Sequence, residues 1–573
     1  MRIRLCFSGL ALAIAFVPVA LGQNPAPPKS ELPANASPQK RSVSYAAHGM
    51  AATSDLRATQ TAVDILRAGG SAVDAAIAAN AVLGVVEPMA CGVGGDLFAI
   101  HCDVQGQIAG LNASGRGAAL ATIEEYQRRG LTEIPTFGPL SWSVPGCVDG
   151  WRELHGRFGK LPWGRLFEPA IQLAEEGFPV APVIAASWKE QEEGLREVPS
   201  AVSTFLVNGQ TPREGDIFRN QMVADTYRKI ARGGADAFYR GEIAAEIDRY
   251  SRSVDGLLRR EDLAMHRSEW IDPVSTNYRG YDVWEMPPNG QGIAVLQMLN
   301  FIEPHDVRSM GWGSPAWCHL FLEAKKLAYA DRAKFYADPR FSSVPVRELI
   351  SKEYAAARGT LFDPDVALRE VPAGDPKLAH GDTVYLCVVD ADRNCCSLIQ
   401  SNFLNFGSRH AAGELGFALQ NRGSSFSLDP DHANSLAVGK RPFHTIIPAV
   451  VTRGGRPVFV FGVMGGDVQP QGHVQVLVNW IDFGMNVQQT GDSPRLRHEG
   501  SASPTGAPAA PGGGTVFAEP GFPDGTLDAL KAKGHSVDAG GFFGGYQGIM
   551  IDWDRGVLAG GSEYRKDGAA LGY

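Results

Sequence analysis

The strongest candidate for chemistry in this 573-residue chain is a threonine at the start of a strand. Thr383 stands in "HGDTVYLCVVDADRNCCSLIQSN", directly after Gly381 and Asp382, and heads an apolar run that ends at Val389. Threonine is common in strands because it is β-branched, so a hydroxyl at this place has an ordinary structural explanation. A hydroxyl becomes a useful nucleophile only beside a base. The rest of the chain must therefore supply that base.

A glycine pair at the end of another apolar run suits the charge that such a nucleophile creates. Gly465 and Gly466 close "VFGVMGG", and without side chains they can present consecutive backbone N–H groups to an oxyanion. The sequence has no GxSxG elbow, so an α/β-hydrolase lacks its nucleophile here. It does not exclude a glycosidase, because the two carboxylates of such an enzyme are close in space and have no fixed separation along the chain. It has no CxxC or HExxH motif either. We interpret His101–Cys102 and Cys318–His319 as packed pairs, and expect no metal or cofactor.

The elements that must position these residues are helices in the first half and strands in the second. Helical spacing with a break at Gly69–Gly70 predicts two helices, the second over Ser71 to Val86. After Thr383 the short β-branched runs "PAVVTR", "RPVFVFGVMG" and "QGIMIDW" predict strands. Gly500 to Gly514, rich in Pro, Gly and Ala, is predicted to be a flexible exposed loop. The pattern favours helices layered on sheets, an α+β or layered α/β body.

Composition limits the function further. A hydrophobic content of 44% and a charged content of 20% are typical of a soluble globular protein. The net charge of −9 argues against nucleic acid, which requires a basic face. We therefore expect no nucleic-acid partner.

The N-terminus has the pattern of a secretory signal peptide. Arg2 and Arg4 precede a short apolar stretch that leads to a small-residue exit near Gly22. The alternative is an uncleaved membrane anchor, but the stretch is short for a bilayer span and contains Pro18. We predict a signal peptide over 1–22, a disordered leader over 23–43, and a periplasmic or secreted protein with no membrane segment after cleavage.

Together, these segments resemble the γ-glutamyltransferase (glutathione hydrolase) family of N-terminal-nucleophile hydrolases. The resemblance is carried in order along the chain by "GGSAVDAAIA", "GVGGDLF", "EAKKLAYADR", "DTVYLCVVDADRN", "FGS", "GKRP", "GGDVQPQGH" and "YRKDGAALGY". It implies a four-layer αββα sandwich and self-cleavage between Asp382 and Thr383. The products would be a large fragment, 44–382, and a small one, 383–573, that stay together as a heterodimer.

Such a cleavage explains how Thr383 obtains its base. The new α-amino group has a reference pKa of about 7.7–8.0, so a good fraction is unprotonated near neutral pH and can accept the hydroxyl proton. One residue then supplies both nucleophile and base. No histidine or aspartate partner is required.

The resemblance also assigns roles to other residues of this sequence. The Gly465–Gly466 pair matches the family's oxyanion glycines, and Ser401 falls where a threonine hydroxyl supports the nucleophile. His444 and Thr445 fall where two serines hold the substrate α-carboxylate. Arg116, about two residues from the usual position, is the candidate for the carboxylate-binding arginine.

The acyl-binding segment departs from the family pattern. "QNRGSSFS", Gln420 to Ser427, has Ser425 in place of the acid that pairs with the substrate ammonium, and Arg422 stands nearby. Phe403 replaces a polar asparagine. The stretch from Leu428 to Val438 is shorter than in relatives with a lid, which predicts an open pocket that excludes water poorly.

The sequence thus predicts a self-processing enzyme that cleaves γ-glutamyl amides through an acyl-enzyme and releases the acyl group to water, or to an amine. Two alternatives stay open. One is an acylase of the same family for glutaryl amides, because Ser425 removes the ammonium partner. The other is an exported binding protein that has kept the fold and lost the chemistry.

Overall fold

Two large antiparallel sheets form the centre of the molecule. The computed structural model describes residues 39–371 and 382–573, so the signal peptide and most of the leader lie outside the described residues. In chain order the strands are β1 (Ser44–Ala46), β2 (Met50–Thr53), β3 (Asp96–Cys102), β4 (Ile108–Ala113), β5 (Phe178–Pro179), β6 (Ile217–Phe218), β7 (Glu269–Ile271), β8 (Val274–Tyr278), β9 (Tyr281–Glu285), β10 (Asp382–Val389), β11 (Cys395–Phe403), β12 (Ala449–Arg453), β13 (Arg456–Met464), β14 (Leu496–Glu499), β15 (Thr515–Ala518), β16 (Ser536–Ala539), β17 (Gly545–Asp552), β18 (Val557–Ser562) and β19 (Ala569–Gly572).

Helices cover the outer face of each sheet. They are α1 (Leu56–Arg67), α2 (Ala72–Val86), α3 (Ile123–Arg128), α4 (Cys147–Phe158), α5 (Glu168–Glu176), α6 (Pro182–Glu190), α7 (Glu192–Arg196), α8 (Pro199–Phe205), α9 (Gln221–Tyr239), α10 (Glu242–Ser253), α11 (Arg260–Met265), α12 (Gly292–Ile302), α13 (Val307–Met310), α14 (Pro315–Phe335), α15 (Val346–Leu349), α16 (Lys352–Gly359), α17 (Val468–Ile481), α18 (Val487–Asp492) and α19 (Thr526–Ala532). None of these described helices is long and apolar enough to cross a membrane.

The layering follows from strand periodicity. Successive side chains of a strand point to opposite faces, and in β10 Leu386 joins the core shared with α1 and α2, while Tyr385 and Cys387 join the core between the sheets. On the far side, α12, α14 and α17 share a third core with β12 and β13. The order helix, sheet, sheet, helix is the predicted αββα sandwich.

Strands from before and after Thr383 are hydrogen-bonded to one another within both sheets. One sheet has the order β19-β2-β10-β11-β3-β4-β7, and the other has the order β1-β18-β17-β13-β12-β9-β8. Each sheet thus contains strands from both sides of Thr383. The hydrogen-bonded ladders would therefore hold the two predicted fragments together after a cut at this residue.

The local predictions for the two halves are confirmed. Helix α1 is capped by the Asp55 side chain, and α2 begins with a capping box between Ser71 and Asp74. Gly69 has a φ of +90°, which suits a glycine at the break. The hairpin β10–β11 turns at Asp390 to Asn394, where the sequence has its polar break.

The segment from Gly500 to Gly514 differs from its prediction. Ala502, Ser503 and Pro504 are buried, and the Pro504 carbonyl accepts a hydrogen bond of 2.9 Å from the Asn434 side chain. The exposed residues of the segment are Pro508, Ala509, Pro511 and Gly512. The exposed-loop prediction was wrong for the first part of this segment, because its carbonyls and small side chains find partners in the protein.

Candidate functional site

The head of β10 brings Thr383 against the end of β11. Thr383 Oγ1 donates to Ser401 Oγ at 3.3 Å, and the Phe403 backbone N–H donates to the same Ser401 oxygen at 2.8 Å. The ladder between β10 and β11 has an irregularity between Asp382 and Val384, at Thr383 itself. A bulge of this kind re-aims a side chain. Ser401 Oγ thus accepts a hydrogen bond from the Thr383 hydroxyl, which is the kind of support that the resemblance implies for it.

The loop before β3 fixes this strand end. The Gln400 side chain exchanges two hydrogen bonds of 2.8 Å with the backbone of Gly92. A Cβ on Gly95 would lie 2.4 Å from the Ser401 carbonyl, and one on Gly94 would lie 2.1 Å from the Ala418 carbonyl. A side chain at either position would clash with these carbonyls. The two glycines therefore let the "GVGGD" loop pack directly against the backbone at Ser401 and Ala418.

The glycine pair follows β13 with backbone angles that favour glycine. Gly465 and Gly466 have φ of +126° and +57°. Their carbonyls accept from Val468 N and Gln469 N, while within the described chain neither of their own N–H groups donates a hydrogen bond. A cavity of about 410 Å³ borders Gly465. The turn can therefore offer N–H groups to an oxyanion, as predicted.

A buried arginine forms the acyl-binding end. Arg422 Nη1 donates to Thr445 Oγ1 at 3.0 Å, and its guanidinium lies 4.0 Å from the Phe403 ring centroid. Nε and Nη2 have no hydrogen-bond partner among residues 39–371 and 382–573. Burial lowers the pKa of Arg422 to about 9, and the nearby Asp96 and Asp467 oppose the shift, so the group is cationic at neutral pH. Two unpaired donors on a buried cation suit a carboxylate.

His444 contributes an acceptor instead of the expected hydroxyl. Its Nε2 donates to Asp96 Oδ2 at 2.7 Å, and burial lowers its pKa to about 4, so the ring is neutral. Nδ1 then carries a lone pair, and it has no partner in the described structure. The Ser425 hydroxyl is likewise buried and unpaired there.

Arg116 is the one proposed site residue that the structure does not bring to this end. Its Nη2 pairs with Glu269 Oε1 at 2.6 Å. In the described residues it has no hydrogen bond with Thr383, Arg422 or Thr445. It follows Gly115, whose backbone N–H donates to Asp96, and the chain beyond this anchor carries Arg116 outward to Glu269.

Two positioning residues escaped the sequence analysis. Gln291 Nε2 donates to the carbonyls of Thr445 at 2.7 Å and of Gly466 at 2.9 Å, which links the acyl-binding end to the oxyanion turn. Asp96 receives Gly115 N and Gly146 N as well as His444. The only local signal was their place in "NGQG" and "GVGGD", since their partners are distant in sequence.

The site is more enclosed than predicted. Thr383 and Ser425 are each 1% exposed, and Arg422 is fully buried. A second cavity of about 660 Å³ lies against Phe403, and Pro508 borders both this cavity and the one beside Gly465. The short stretch after Leu428 does not leave the site open, because the 500–514 segment lies over it. Poor exclusion of water from an open pocket is therefore no reason to expect water rather than an amine as the acceptor.

No metal-binding set involves these residues. Among the described residues, one cluster of His, Cys, Asp or Glu side chains is close enough to share an ion, and it comprises His319, Glu323 and His535. The predicted catalytic and binding groups are instead a hydroxyl, backbone N–H groups and a buried guanidinium.

The αββα fold with Thr383 at the head of β10 places the protein in the class of N-terminal-nucleophile hydrolases. The sequence model of the gamma-glutamyltranspeptidase family matches residues 58–573. The chain belongs to this family, which confirms the predicted resemblance and the predicted fold. It is an enzyme of the type that includes glutathione hydrolases and acylases.

Individual relatives cover nearly the whole chain. The glutathione hydrolase-like YwrD proenzyme of Bacillus subtilis is 36% identical over 530 residues, 90% of this chain and 96% of its own length. The oxamate amidohydrolase proenzyme of Klebsiella pneumoniae is 34% identical and covers 92% of this chain and 98% of its own. The crystal structure of cephalosporin acylase from Bacillus halodurans superimposes with a TM-score of 0.86 at 41% identity, over 94% of this chain and 98% of that one.

Proposed function

We propose that this chain is a proenzyme that cuts its own Asp382–Thr383 bond and then hydrolyses side-chain amides of γ-glutamyl type, glutathione among them. The observation that carries the proposal is Thr383 at the head of β10, with its hydroxyl 3.3 Å from Ser401 Oγ. The proenzyme names of similar proteins support the cut. The products are a large fragment, 44–382, and a small fragment, 383–573, joined by both sheets.

The reaction follows from the groups in place. The α-amine of Thr383 takes the hydroxyl proton, and Oγ attacks the amide carbonyl. The N–H groups of Gly465 and Gly466 stabilise the oxyanion. When the oxyanion collapses, the amine of the substrate leaves with the proton that the Thr383 α-amine had taken, and the acyl group stays on Oγ. Water or an amine then attacks the acyl-Thr383 ester, giving the proton back through the α-amine, and the free threonine is restored.

A second candidate is favoured by the unpaired donors of Arg422. A glutaryl amide brings a carboxylate and no ammonium, so Arg422 and Thr445 can bind it without any further partner. A γ-glutamyl donor also brings an ammonium, for which the described site offers the neutral His444 Nδ1 and the Ser425 hydroxyl. The nearby carboxylates of Asp96 and Asp467 are already paired, with His444 and with Arg332 respectively. We infer that γ-glutamyl amides are hydrolysed with an elevated KM and that glutaryl amides are comparatively good donors.

We further propose that the protein is exported to the periplasm or secreted. The support is the basic start, the apolar stretch and the small-residue exit of residues 1–22. A mature N-terminus near Gln23, with the leader 23–43 still attached to the large fragment, and recovery of the protein outside the cytoplasm would agree with this proposal.

The decisive experiment is mass determination and N-terminal sequencing of purified wild type and Thr383→Ala. The wild type should give two tightly associated fragments, the smaller one beginning at Thr383, and the variant should stay one chain without activity. A wild type that is uncut yet fully active would refute the mechanism. A wild type that is uncut and inactive would favour the binding-protein alternative.

A further inference from the structure

A compact cluster of metal-ligating side chains lies outside the catalytic arrangement. Helix α14 carries His319 and Glu323 one turn apart, and His535 follows α19. His319 Nδ1 is 2.8 Å from His535 Nε2, and Glu323 Oε1 is 3.9 Å and 3.8 Å from these two nitrogens. All three side chains are at most 2% exposed.

The outer atoms of two of these side chains are fixed by backbone. His319 Nε2 lies 2.8 Å from the Asp363 carbonyl, which can only accept, so Nε2 carries the proton and the Nδ1 lone pair faces the cluster. Glu323 Oε2 accepts from Leu368 N at 3.2 Å, which leaves Oε1 toward the two imidazoles. Such outer-shell bonds orient the histidine and carboxylate ligands of metal sites.

We propose that His319, Glu323 and His535 bind one Zn²⁺ ion. Two imidazole nitrogens and one carboxylate oxygen are a common zinc set, whereas Ca²⁺ and Mg²⁺ prefer oxygen ligands throughout. Three protein ligands leave the fourth tetrahedral position for water. Sequence motifs could not show this site, because His535 is 216 residues from His319.

Lys326 is the local competitor of the metal. Its Nζ lies 2.6 Å from Glu323 Oε1 and donates to the Leu368 carbonyl at 2.6 Å. Lys533 adds a second positive charge near both histidines. Because His319 Nδ1 carries no proton, His535 Nε2 donates to it in the metal-free protein, and a bound ion would replace this hydrogen bond. Zinc must displace Lys326 from Oε1, while the Leu368 contact can persist.

The position of the cluster gives the ion a structural role. His319 and Glu323 precede Thr383 in the chain and His535 follows it. Asp363 and Leu368, which hold the outer atoms, belong to the last described stretch before Thr383. A bound zinc would therefore tie together segments from both sides of the proposed cut. The zinc site itself does not depend on the cut.

The test is titration of Zn²⁺ into metal-free protein purified without a histidine tag, against a competing chromophoric chelator. The wild type should bind one equivalent, with a rise in melting temperature and a tetrahedral Co²⁺ spectrum after substitution. His319→Ala, His535→Ala and the shape-preserving Glu323→Gln should each weaken binding by about 100-fold or more. His305→Ala is the matched control, since His305 lies in the same helical layer and contacts Phe362 without facing the cluster.

Lys326→Met should change the affinity for Zn²⁺ in the opposite direction to the three ligand variants. Removing the competing ammonium should tighten Zn²⁺ binding, although the Leu368 contact is lost. Zinc binding below one equivalent in the wild type would overturn the proposal. So would equal affinity in Glu323→Gln, the His319 variant and the His305 control, because the ion would then bind elsewhere.

Discussion

The two ends of the catalytic site are held by different kinds of structure. The nucleophile end is built on strand ends: β10 presents Thr383, β11 presents Ser401, and the glycine turn follows β13. The acyl-binding end lies on the 3₁₀ turn Arg422–Ser425 and on the loop around Thr445. The difference suggests that regular ladders hold the groups that react, whereas irregular segments hold the groups that recognise the acyl chain.

The two ends also differ in the kind of group that keeps no hydrogen-bond partner in the described chain, which at the nucleophile end is the backbone N–H of Gly465 and of Gly466. Ser401 Oγ already receives two hydrogen bonds. At the acyl-binding end, Arg422, Ser425 and His444 each keep at least one buried polar atom without a partner among the described residues. Buried unpaired groups cost about 1–3 kcal/mol each. A ligand that pairs with these groups recovers part of this cost. The unpaired groups of the acyl-binding end therefore favour ligands whose polar atoms match them.

The largest effect should come from Gly465→Ala at the nucleophile end. A Cβ at this position would lie 2.9 Å from Phe542 Cε1 and 3.0 Å from Gly544 Cα, at a φ of +126° that L-residues avoid. The turn must move, and its N–H groups with it. Because losing one oxyanion donor costs about 10²–10³ in rate, we expect kcat to fall by about that factor.

Gly130→Ala is the control for backbone strain alone. Gly130 has a φ of +75° and open space around its Cβ direction, far in sequence from every site residue. The two variants should be compared by kcat and by melting temperature. If Gly465→Ala lowers kcat no more than Gly130→Ala does, the glycine turn is not the oxyanion site.

The second prediction concerns His444, at the acyl-binding end, and the pH dependence of the free energy of unfolding. His444 has a pKa of about 4 in the fold against an ordinary value of 6.5. As pH falls, the unfolded chain therefore binds this proton first, so stability present above pH 6.5 is lost progressively down to about pH 4. His444→Gln keeps a donor toward Asp96 and removes the titration.

The measurement is the free energy of unfolding by denaturant at neutral pH and at the acidic end of that range. The wild type should lose about 3 kcal/mol more than His444→Gln over this interval. Identical pH dependence in the two proteins would mean that folding does not lower the pKa of His444.

The sequence was most informative about the nucleophile end. The polar break after Val389 and the glycine pair after Met464 are local signals, and the strands they bound were predicted correctly. Thr383 Oγ1 and Ser401 Oγ lie 3.3 Å apart, a neighbourhood expected from pattern and resemblance together. Local sequence signals were enough to predict the positions of these groups, because the groups lie at the ends of regular strands.

The acyl-binding end could be read only in part. Phe403 and Arg422 were recognised as two separate departures, yet in the structure the ring and the guanidinium stack, so they are one coupled change. Arg116 was expected here, but it pairs with Glu269. Gln291 and Asp96 act through partners on other elements, and such long-range contacts have no signature in spacing.

The third prediction concerns the support of the nucleophile. Ser401→Ala leaves the Phe403 N–H without its acceptor and removes the contact to Thr383, at a cost of about 1–3 kcal/mol. Acylation should slow by about tenfold to a hundredfold, as measured by single-turnover kinetics. Thr383→Ser, which keeps a hydroxyl and an amine, should process itself and turn over slowly but detectably.

Ser397→Ala is the matched control on the same strand. Its hydroxyl bonds the Tyr385 hydroxyl at 2.8 Å and accepts from Ala449 N at 3.1 Å, so a comparable pair of bonds is lost away from Thr383. Unchanged acylation in Ser401→Ala would remove Ser401 from the mechanism and leave Thr383 in it.

The smallest effect, and the sharpest for specificity, should come from Ser425→Asp at the acyl-binding end. The new carboxylate can pair with a substrate ammonium and can also neutralise Arg422, which lies in the same 3₁₀ turn. Both effects favour γ-glutamyl over glutaryl donors. The ratio of kcat/KM for γ-glutamyl and glutaryl anilides should rise by about tenfold if the regained pairing is worth about 1.4 kcal/mol.

Ser424→Asp introduces the same charge one residue away, on the side chain that borders the outer cavity beside Phe403. It should leave the donor ratio close to that of the wild type, because a partly exposed carboxylate is screened by solvent. If the wild type already prefers the γ-glutamyl anilide strongly and Ser425→Asp changes nothing, another group binds the ammonium. His444 Nδ1 would then be the leading candidate, and His444→Gln should raise the KM for the γ-glutamyl anilide while sparing the glutaryl one.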